Sequence, residues 1–518
     1  MNSKMLAYVL RRLGSLVVIL FGSSFILYNL AAISGDPIGA LRFSDDREVQ
    51  AQIRELEQFL RLDVPPPLRY FIWLRGVLGV FTGNPDFGLT RERGPVIDQL
   101  AEAIPITIRL VIFATIFAII VGIALGIISA LRQYSRFDYS MTFFAFLLFS
   151  LPIFWVAVLL KRYLAIGFNN FLSNPYITPG WRLGLGIAIA LFFSALLARR
   201  RQVFWLMLAG ITGFVFVLLT FLNEIEFLIN PRLGVAGITI ISITIAFGVT
   251  YVSTGITNRA ALYASLSMVP LTLISYFLVG TRLGPTSSIP QLLIYGLLTV
   301  VVATGVSFLF ARQDRAPIVR TTILTGLLSA NLIILDKFMK TWKPYMDDSA
   351  IGGRPIPTIG QASDLLPQDN FWIVSLDLLV HLFLPTVALT LISFAGYIRY
   401  SRGTLLEVLN QDYIRTARAK GLSERTVIMR HAFRNTLIPL TTIMVVDFAG
   451  IVGGAIITER VFGWSGMGTL FNRAIQTIDL NLLMGVFFIT ATLAVLANLI
   501  ADLLYSALDP RIRVGSGK

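Results

Sequence analysis

Residues 105–131 read PITIRLVIFATIFAIIVGIALGIISAL, a stretch of 27 residues whose single ionisable side chain is Arg109. A bilayer core about 30 Å thick is crossed by roughly 20 apolar residues in helical form, so this run is long enough to span one. Eleven further runs have the same character: 13–33, 139–160, 183–198, 202–222, 235–253, 261–280, 291–310, 318–336, 376–398, 436–459 and 483–507. The run at 183–198 is short and needs Trp181 or its flanks to complete a span. Composition agrees with the runs. Charged residues make up 14% of the 518, against about 25% in soluble domains, and mean hydropathy is +0.75. A soluble enzyme, a disordered chain and a fibrous repeat are excluded together. The expected fold is all-α, a polytopic helical membrane protein with about 12 transmembrane helices.

The basic excess has a direction. Formal charge is +14, from 43 Lys+Arg and 29 Asp+Glu. With the N-terminus inside, segments 1–12, 132–138, 199–201, 254–260, 311–317, 399–435 and 508–518 hold 22 basic and 6 acidic residues in 84 positions. The outside segments hold 19 basic and 18 acidic in 177. That asymmetry is the positive-inside signature, and the Arg199-Arg200-Arg201 triplet is its sharpest instance. The charge therefore reports orientation, with both termini cytoplasmic, and a nucleic-acid partner is not expected. The first run, though preceded by Lys4, Arg11 and Arg12, exceeds the apolar core of a signal peptide and reads as a retained span.

Chemistry is sparse. Cys is absent, there is no phosphate-binding loop, and the only histidines are His381 and His431, so neither a catalytic residue nor a metal site is expected. Gly463-Trp464-Ser465-Gly466-Met467 falls one residue short of a nucleophile elbow and lies in a loop. Carboxylates inside spans are functional hypotheses because burying them is costly. Asp447 is the deepest, a candidate for a translocation path or gate, and Asp502 reads as a helix-packing partner of Asn498. Gly122/Gly126 and Gly450/Gly454 have the spacing that lets membrane helices approach closely. Outside the spans, 34–104 contains an amphipathic helix carrying Val49, Ile53, Leu56, Phe59 and Leu60, ended by Pro65-Pro66-Pro67. The inside segment 399–435 is basic and reads as one helix through Thr404–Lys420, stopped at Gly421.

The stretch Gln411-Asp412-Tyr413-Ile414-Arg415-Thr416-Ala417-Arg418-Ala419-Lys420-Gly421-Leu422-Ser423-Glu424-Arg425, followed by His431, Phe433, Arg434, Asn435 and Pro439, resembles the EAA coupling loop of ABC importer permeases. The match is to the oligopeptide/dipeptide/nickel class of type I importers. Arg415-Thr416-Ala417 fills the EAA place and Gly421 that of the motif's glycine. Tyr8 to Leu30, Gly35-Asp36-Pro37, Leu62-Asp63, Trp73-Leu74, Phe87-Gly88, Val461-Phe462-Gly463-Trp464 and Leu508-Asp509-Pro510-Arg511 resemble other parts of that family. Ser465 stands where the family usually has Pro, and about 165 to 370 replaces a short external loop.

The resemblance implies a permease subunit importing peptides by alternating access, with no enzymatic activity or cofactor of its own. Two cytoplasmic ABC ATPases would hydrolyse ATP with Mg and push on Asp412, Tyr413, Arg415, Thr416, Ala417, Arg418, Ala419, Lys420, Gly421, Leu422, Ser423 and Glu424. A second, non-identical permease subunit, an external substrate-binding protein and membrane lipid complete the partners, in a prokaryotic inner membrane. The domain reading is a first span (1–33), an external segment (34–104), a permease core in two parts (105–160 and 376–513), and an inserted six-helix segment (161–375). The alternative is a self-sufficient ion-coupled transporter, for which twelve spans and Asp447 suffice; no internal repeat supports it.

Overall fold

The computed structural model describes residues 3–39, 46–198, 200–311, 315–454 and 456–508. Arg199, the packing at Gly450 and Gly454, the side chains of Arg425 and Asp502, and residues 509–513 lie outside what it describes. Among the described residues, ten helices are long and apolar enough to cross a membrane. An eleventh is counted if Arg136–Ser150 and Ile153–Leu172 form one span, although they are bent by 102° from each other. The straight span expected at 139–160 is thus broken. Pro152 drives its preceding residue out of helical geometry, and Leu151 is extended at φ −84°, ψ 129°. The remaining expected span, 436–459, falls on the helices Phe433–Gly454 and Ile456–Phe462. The short run at 183–198 is completed on its N-terminal side, as helix Pro179–Leu197.

The described chain divides into two compact units. One comprises residues 1–161, 359–361 and 382–518. Here the helix Val96–Leu131 lies against Phe371–Leu409 through its two glycines. A Cβ on Gly122 would meet Tyr397 Cβ at 2.5 Å, and one on Gly126 would meet the Ile398 carbonyl oxygen at 2.7 Å and collide with Ser401 Oγ. Only hydrogen at both positions allows backbones this close. Just beyond this contact Asp138, 3% exposed, takes a bidentate hydrogen bond from Arg402, Nε at 2.7 Å and Nη2 at 2.8 Å. Ser129 Oγ and the Tyr134 N–H also donate to that carboxylate.

At the start of Val96–Leu131 an aromatic cluster binds the external segment to the first and last spans. Tyr28, Tyr70, Trp73 and Phe87 are buried with Leu100 and Met484. Tyr28 and Tyr70 meet edge-on at 5.6 Å, Trp73 and Phe488 at 5.9 Å, and the Trp73 Nε1–H donates to the Phe87 carbonyl at 3.2 Å. The amphipathic helix of this segment is Arg47–Phe59, capped by Asp46. The prolines do not end it. Arg61 turns the chain first, at φ 53°, and Pro66 and Pro67 instead open the helix Pro66–Val77, where a missing N–H costs nothing.

The second unit comprises residues 162–358 and 362–381. Its helices Pro179–Leu197 and Arg201–Glu224 form a hairpin in which Arg182, Gly186, Ala190 and Ser194, each four residues apart, make the buried face. The helices Gly234–Ser253, Arg259–Leu278, Ile289–Phe310 and Arg315–Met346 pack into a bundle seamed with hydroxyls, including Thr250 to Ser265 at 3.2 Å and Ser253 to Thr321 at 2.7 Å. Two buried carboxylates fasten its ends. Asp336 accepts the N–H groups of Leu233 and Gly234 and pairs with Lys340 at 2.7 Å. Asp377 accepts from Tyr345 Oη at 2.8 Å and from Ser363 N and Oγ at 2.9 and 2.7 Å.

Gly126→Leu should lower stability by about 1–3 kcal/mol, because the large side chain meets the Ile398 backbone as well as Ser401 Oγ. A reduced thermal midpoint of the detergent-solubilised chain would show it, and an unchanged midpoint would contradict the packing. Asp138→Ala leaves the Arg402 guanidinium without its carboxylate and should cost about 2–3 kcal/mol. Asp138→Asn, which keeps the acceptor oxygen for Ser129 or Tyr134, should lose less by the same measurement.

Candidate functional site

The Phe371–Leu409 helix does not run on to Lys420 as its sequence suggests. It ends at Leu409, Asn410 Nδ2 donates back to the Leu406 carbonyl at 3.0 Å, and Gln411 is extended at φ −72°, ψ 149°. A separate helix, Asp412–Ala419, follows. The break has a packing reason. It folds the chain so that Leu405 of the first helix and Ile414 of the second, both with no exposed surface, share one cluster with Ala130, Ala417, Val427 and Ala432. A single straight helix would present these residues at successive heights along one axis instead.

The short helix is sharply stopped. Gly421 has φ 76°, its N–H donates to the Arg418 carbonyl at 2.9 Å, and the Leu422 N–H reaches the Ala417 carbonyl at 3.4 Å. This pair of bonds is a Schellman turn, whose left-handed position favours glycine. Asp412 in the first turn and Arg418 in the last oppose the helix dipole with the right signs. Beyond the turn, Ser423 caps the next helical stretch by accepting the Thr426 N–H, and Glu424 pairs with Arg418 at 2.7 Å. The Arg418 guanidinium holds the Glu424 carboxyl below the usual carboxylate range. Asn435 Nδ2 donates to Tyr413 Oη at 2.9 Å, tying the short helix to the start of Phe433–Gly454.

Of the twelve residues expected to form the loop, eleven are exposed: Asp412, Tyr413, Arg415, Thr416, Arg418, Ala419, Lys420, Gly421, Leu422, Ser423 and Glu424. Ala417 is buried, and with Ile414 it is the foot of the helix rather than part of its outer face. Their three-residue spacing is a helical repeat and could have been read from the sequence. The supports that sequence reasoning missed are Leu405, Asp138 and Arg402. Asp138 and Arg402 are 264 residues apart, and nothing local in the chain couples them.

Asp447 lies well apart from this loop along the Phe433–Gly454 helix and is half-buried. Its carboxylate interacts with the Tyr397 phenol, whose buried oxygen makes no hydrogen bond of ordinary geometry. Tyr397 is the residue that faces Gly122. A second carboxylate, Glu459, is fully buried and takes only neutral donors, Thr107 Oγ1 at 2.6 Å and the Thr469 N–H at 2.9 Å. His381, the histidine set within a predicted span, holds its Nδ1 2.8 Å from the Asp377 carbonyl oxygen. Among the described residues no group of three or more acidic or histidine side chains is placed to hold a metal ion.

Known proteins of similar sequence are transport permeases. The oligopeptide transport system permease protein OppB of Mycobacterium tuberculosis is 37% identical over 249 residues, covering 46% of this chain and 73% of the relative. The oligopeptide transport system permease protein AppB of Bacillus subtilis is 45% identical over 136 residues, 26% of this chain and 43% of its own. The dipeptide transport system permease protein DppB of Escherichia coli is 37% identical over 173 residues, 30% and 51% respectively. The family described as "Binding-protein-dependent transport system inner membrane component" matches residues 122–514. That match takes in the glycine contact, the seated helix with its Schellman stop, and Asp447, and the chain belongs to this family of transport permeases.

Proposed function

We propose that the chain is a permease subunit of an ATP-driven peptide importer and that the helix Asp412–Ala419 with its Gly421 stop receives the push of cytoplasmic ATPases. One observation carries the reading: a short helix rooted by Ile414 and Ala417 in the span bundle presents its other side bare to solvent. A helix held only by its own propensity could not transmit force at eight residues, since so short a helix is unstable alone. The names of the relatives supply the substrate class, oligopeptides and dipeptides.

In this reading the 411–425 loop and both termini face the cytoplasm of a prokaryotic cell, in agreement with the basic excess of the inside segments. Two ATPase subunits hydrolyse ATP with Mg, and this chain makes and breaks no bonds and binds no cofactor. A second permease subunit lines the other half of the path. The external segment 34–104 contributes to the surface on which a substrate-binding protein docks. Asp447 is assigned to the path or its gate, and its half-buried carboxylate beside Tyr397 supports that reading. Residues 161–375 are an accessory insertion, in keeping with an alignment that covers 73% of a relative with 46% of this chain.

Two substitutions test the coupling surface in the assembly captured from its own membranes. Arg415 is 70% exposed at its side chain, so Arg415→Glu should leave the thermal midpoint unchanged. It should weaken ATPase retention about tenfold or more, the equivalent of about 1.4 kcal/mol. Full retention with normal peptide uptake would overturn the assignment. Gly421→Val forces a β-branched residue to positive φ at a cost of about 1–2 kcal/mol. It should reduce peptide-stimulated ATP hydrolysis with the spans intact by circular dichroism, and unaltered hydrolysis would count against a shaped stop.

A further inference from the structure

At the end of the spans opposite the Asp412–Ala419 helix lies a cavity of about 740 Å3 that the transport reading does not use. Its walls come from the last turns of the first span, the external helices and the start of the last span, with Tyr28, Ala32, Ile72, Trp73, Ile475 and Leu483 giving it an apolar interior. Arg61, Arg69 and Arg91 also line it, with Asp86 and Asp479. The two acids are engaged elsewhere. Asp86 accepts the Gly88 N–H at 2.8 Å, and Asp479 accepts the N–H groups of Arg91 and Leu482 at 2.7 and 3.0 Å. Arg91 Nη1 is spent on the Thr477 carbonyl at 3.1 Å.

Arg61 and Arg69 are different. Among the described residues neither has a carboxylate within ion-pair distance. Arg69 reaches only the Leu60 carbonyl, at a long 3.4 Å, and its Nε is buried with no partner. An unpaired guanidinium beside apolar walls is costly, and an anion with an apolar body relieves both terms at once. The neighbouring surface indicates where that anion comes from. Leu68 (59% exposed), Phe71 (57%), Val80 (53%) and Phe81 (86%) lie open along Pro66–Thr82, a segment that packs beside the first span through Tyr70 against Phe25 and Tyr28. Apolar and aromatic side chains laid out at span ends belong to the interface of the bilayer.

We propose that the cavity binds an anionic phospholipid of the leaflet opposite the Asp412–Ala419 helix. Its phosphate lies between Arg61 and Arg69, and an acyl chain runs along Ala32, Ile72 and Leu483. The lipid then fills the space behind the external segment and fixes that segment against the spans. The inference uses the membrane placement alone and stands whether or not the transported substrate is a peptide.

The test is lipid retention by the full chain reconstituted in nanodiscs of phosphatidylglycerol or phosphatidylcholine, followed by detergent exchange and native mass spectrometry. Phosphatidylglycerol should be retained at least tenfold better than phosphatidylcholine. Arg61→Gln, on the exposed rim of the cavity, and Arg61→Gln with Arg69→Gln should progressively remove that preference while peptide-stimulated ATP hydrolysis measures the transport function separately. Equal retention of the two lipids by the unaltered chain, or a preference that survives the double substitution, would overturn the proposal. So would inorganic phosphate raising the thermal midpoint as much as phosphatidylglycerol, because the arginines would then belong to a free anion.

Discussion

The contact on which the permease unit depends is the backbone approach of Val96–Leu131 to Phe371–Leu409 through Gly122 and Gly126. In lipid there is no hydrophobic force between helices, so close packing must supply the adhesion. Hydrogen in place of a side chain brings the helix axes near enough for the rest. Ser401 sits against Gly126, and one residue further Arg402 reaches the Asp138 carboxylate with both nitrogens. A bidentate pair tolerates little variation in the separation of its two backbones. The glycines set that separation and the ion pair locks it. Together they fix the end of the helix from which the short Asp412–Ala419 helix departs.

That order explains which parts of the structure could be read from the sequence. The spans were legible because twenty apolar residues in a row have no other use. Gly122 and Gly126 showed as a spacing, although their partner helix did not. The failures share one physical origin, which is competition between local continuity and distant packing. The run 139–160 is continuous in hydropathy, yet Pro152 bends it, a signal present in the sequence and outweighed by the length of the run. The segment 404–420 has helical residues throughout, yet it breaks at Asn410 because burying Leu405 and Ile414 together is worth more than unbroken hydrogen bonding. The prolines at 65–67 looked like a stop and serve as a start, since Arg61 has already turned the chain.

The site shows the same division. The twelve loop residues were named through the family resemblance, and eleven of them are exposed. Ala417 was expected among the residues that take the push of the ATPases, yet it presses inward on the spans. A small residue in a helix is ambiguous on this point, because it permits approach from either side. The periodicity with Ile414 resolves it. By contrast, Asp138 carries no local mark of its role, since its partner lies 264 residues further on. A carboxylate next to a span reads as an ordinary loop charge until its arginine is in view.

The two units solve the problem of cohesion in lipid by different chemistry. The permease unit uses close backbone approach at one end and an aromatic cluster at the other. The helices of the second unit carry hydroxyls along their contacts and close their ends with Asp336 and Asp377, each buried and each satisfied by several donors. Hydroxyl contacts hold helices together without requiring the same shape complementarity as glycine contacts, but they are individually weak, about 0.6 kcal/mol on average. A unit built that way gains its rigidity where charge is buried, at the ends beside its loops. Substitutions in its mid-span hydroxyls should therefore be absorbed more easily than substitutions at Asp336 or Asp377, whereas in the permease unit the mid-span glycines are the least replaceable positions.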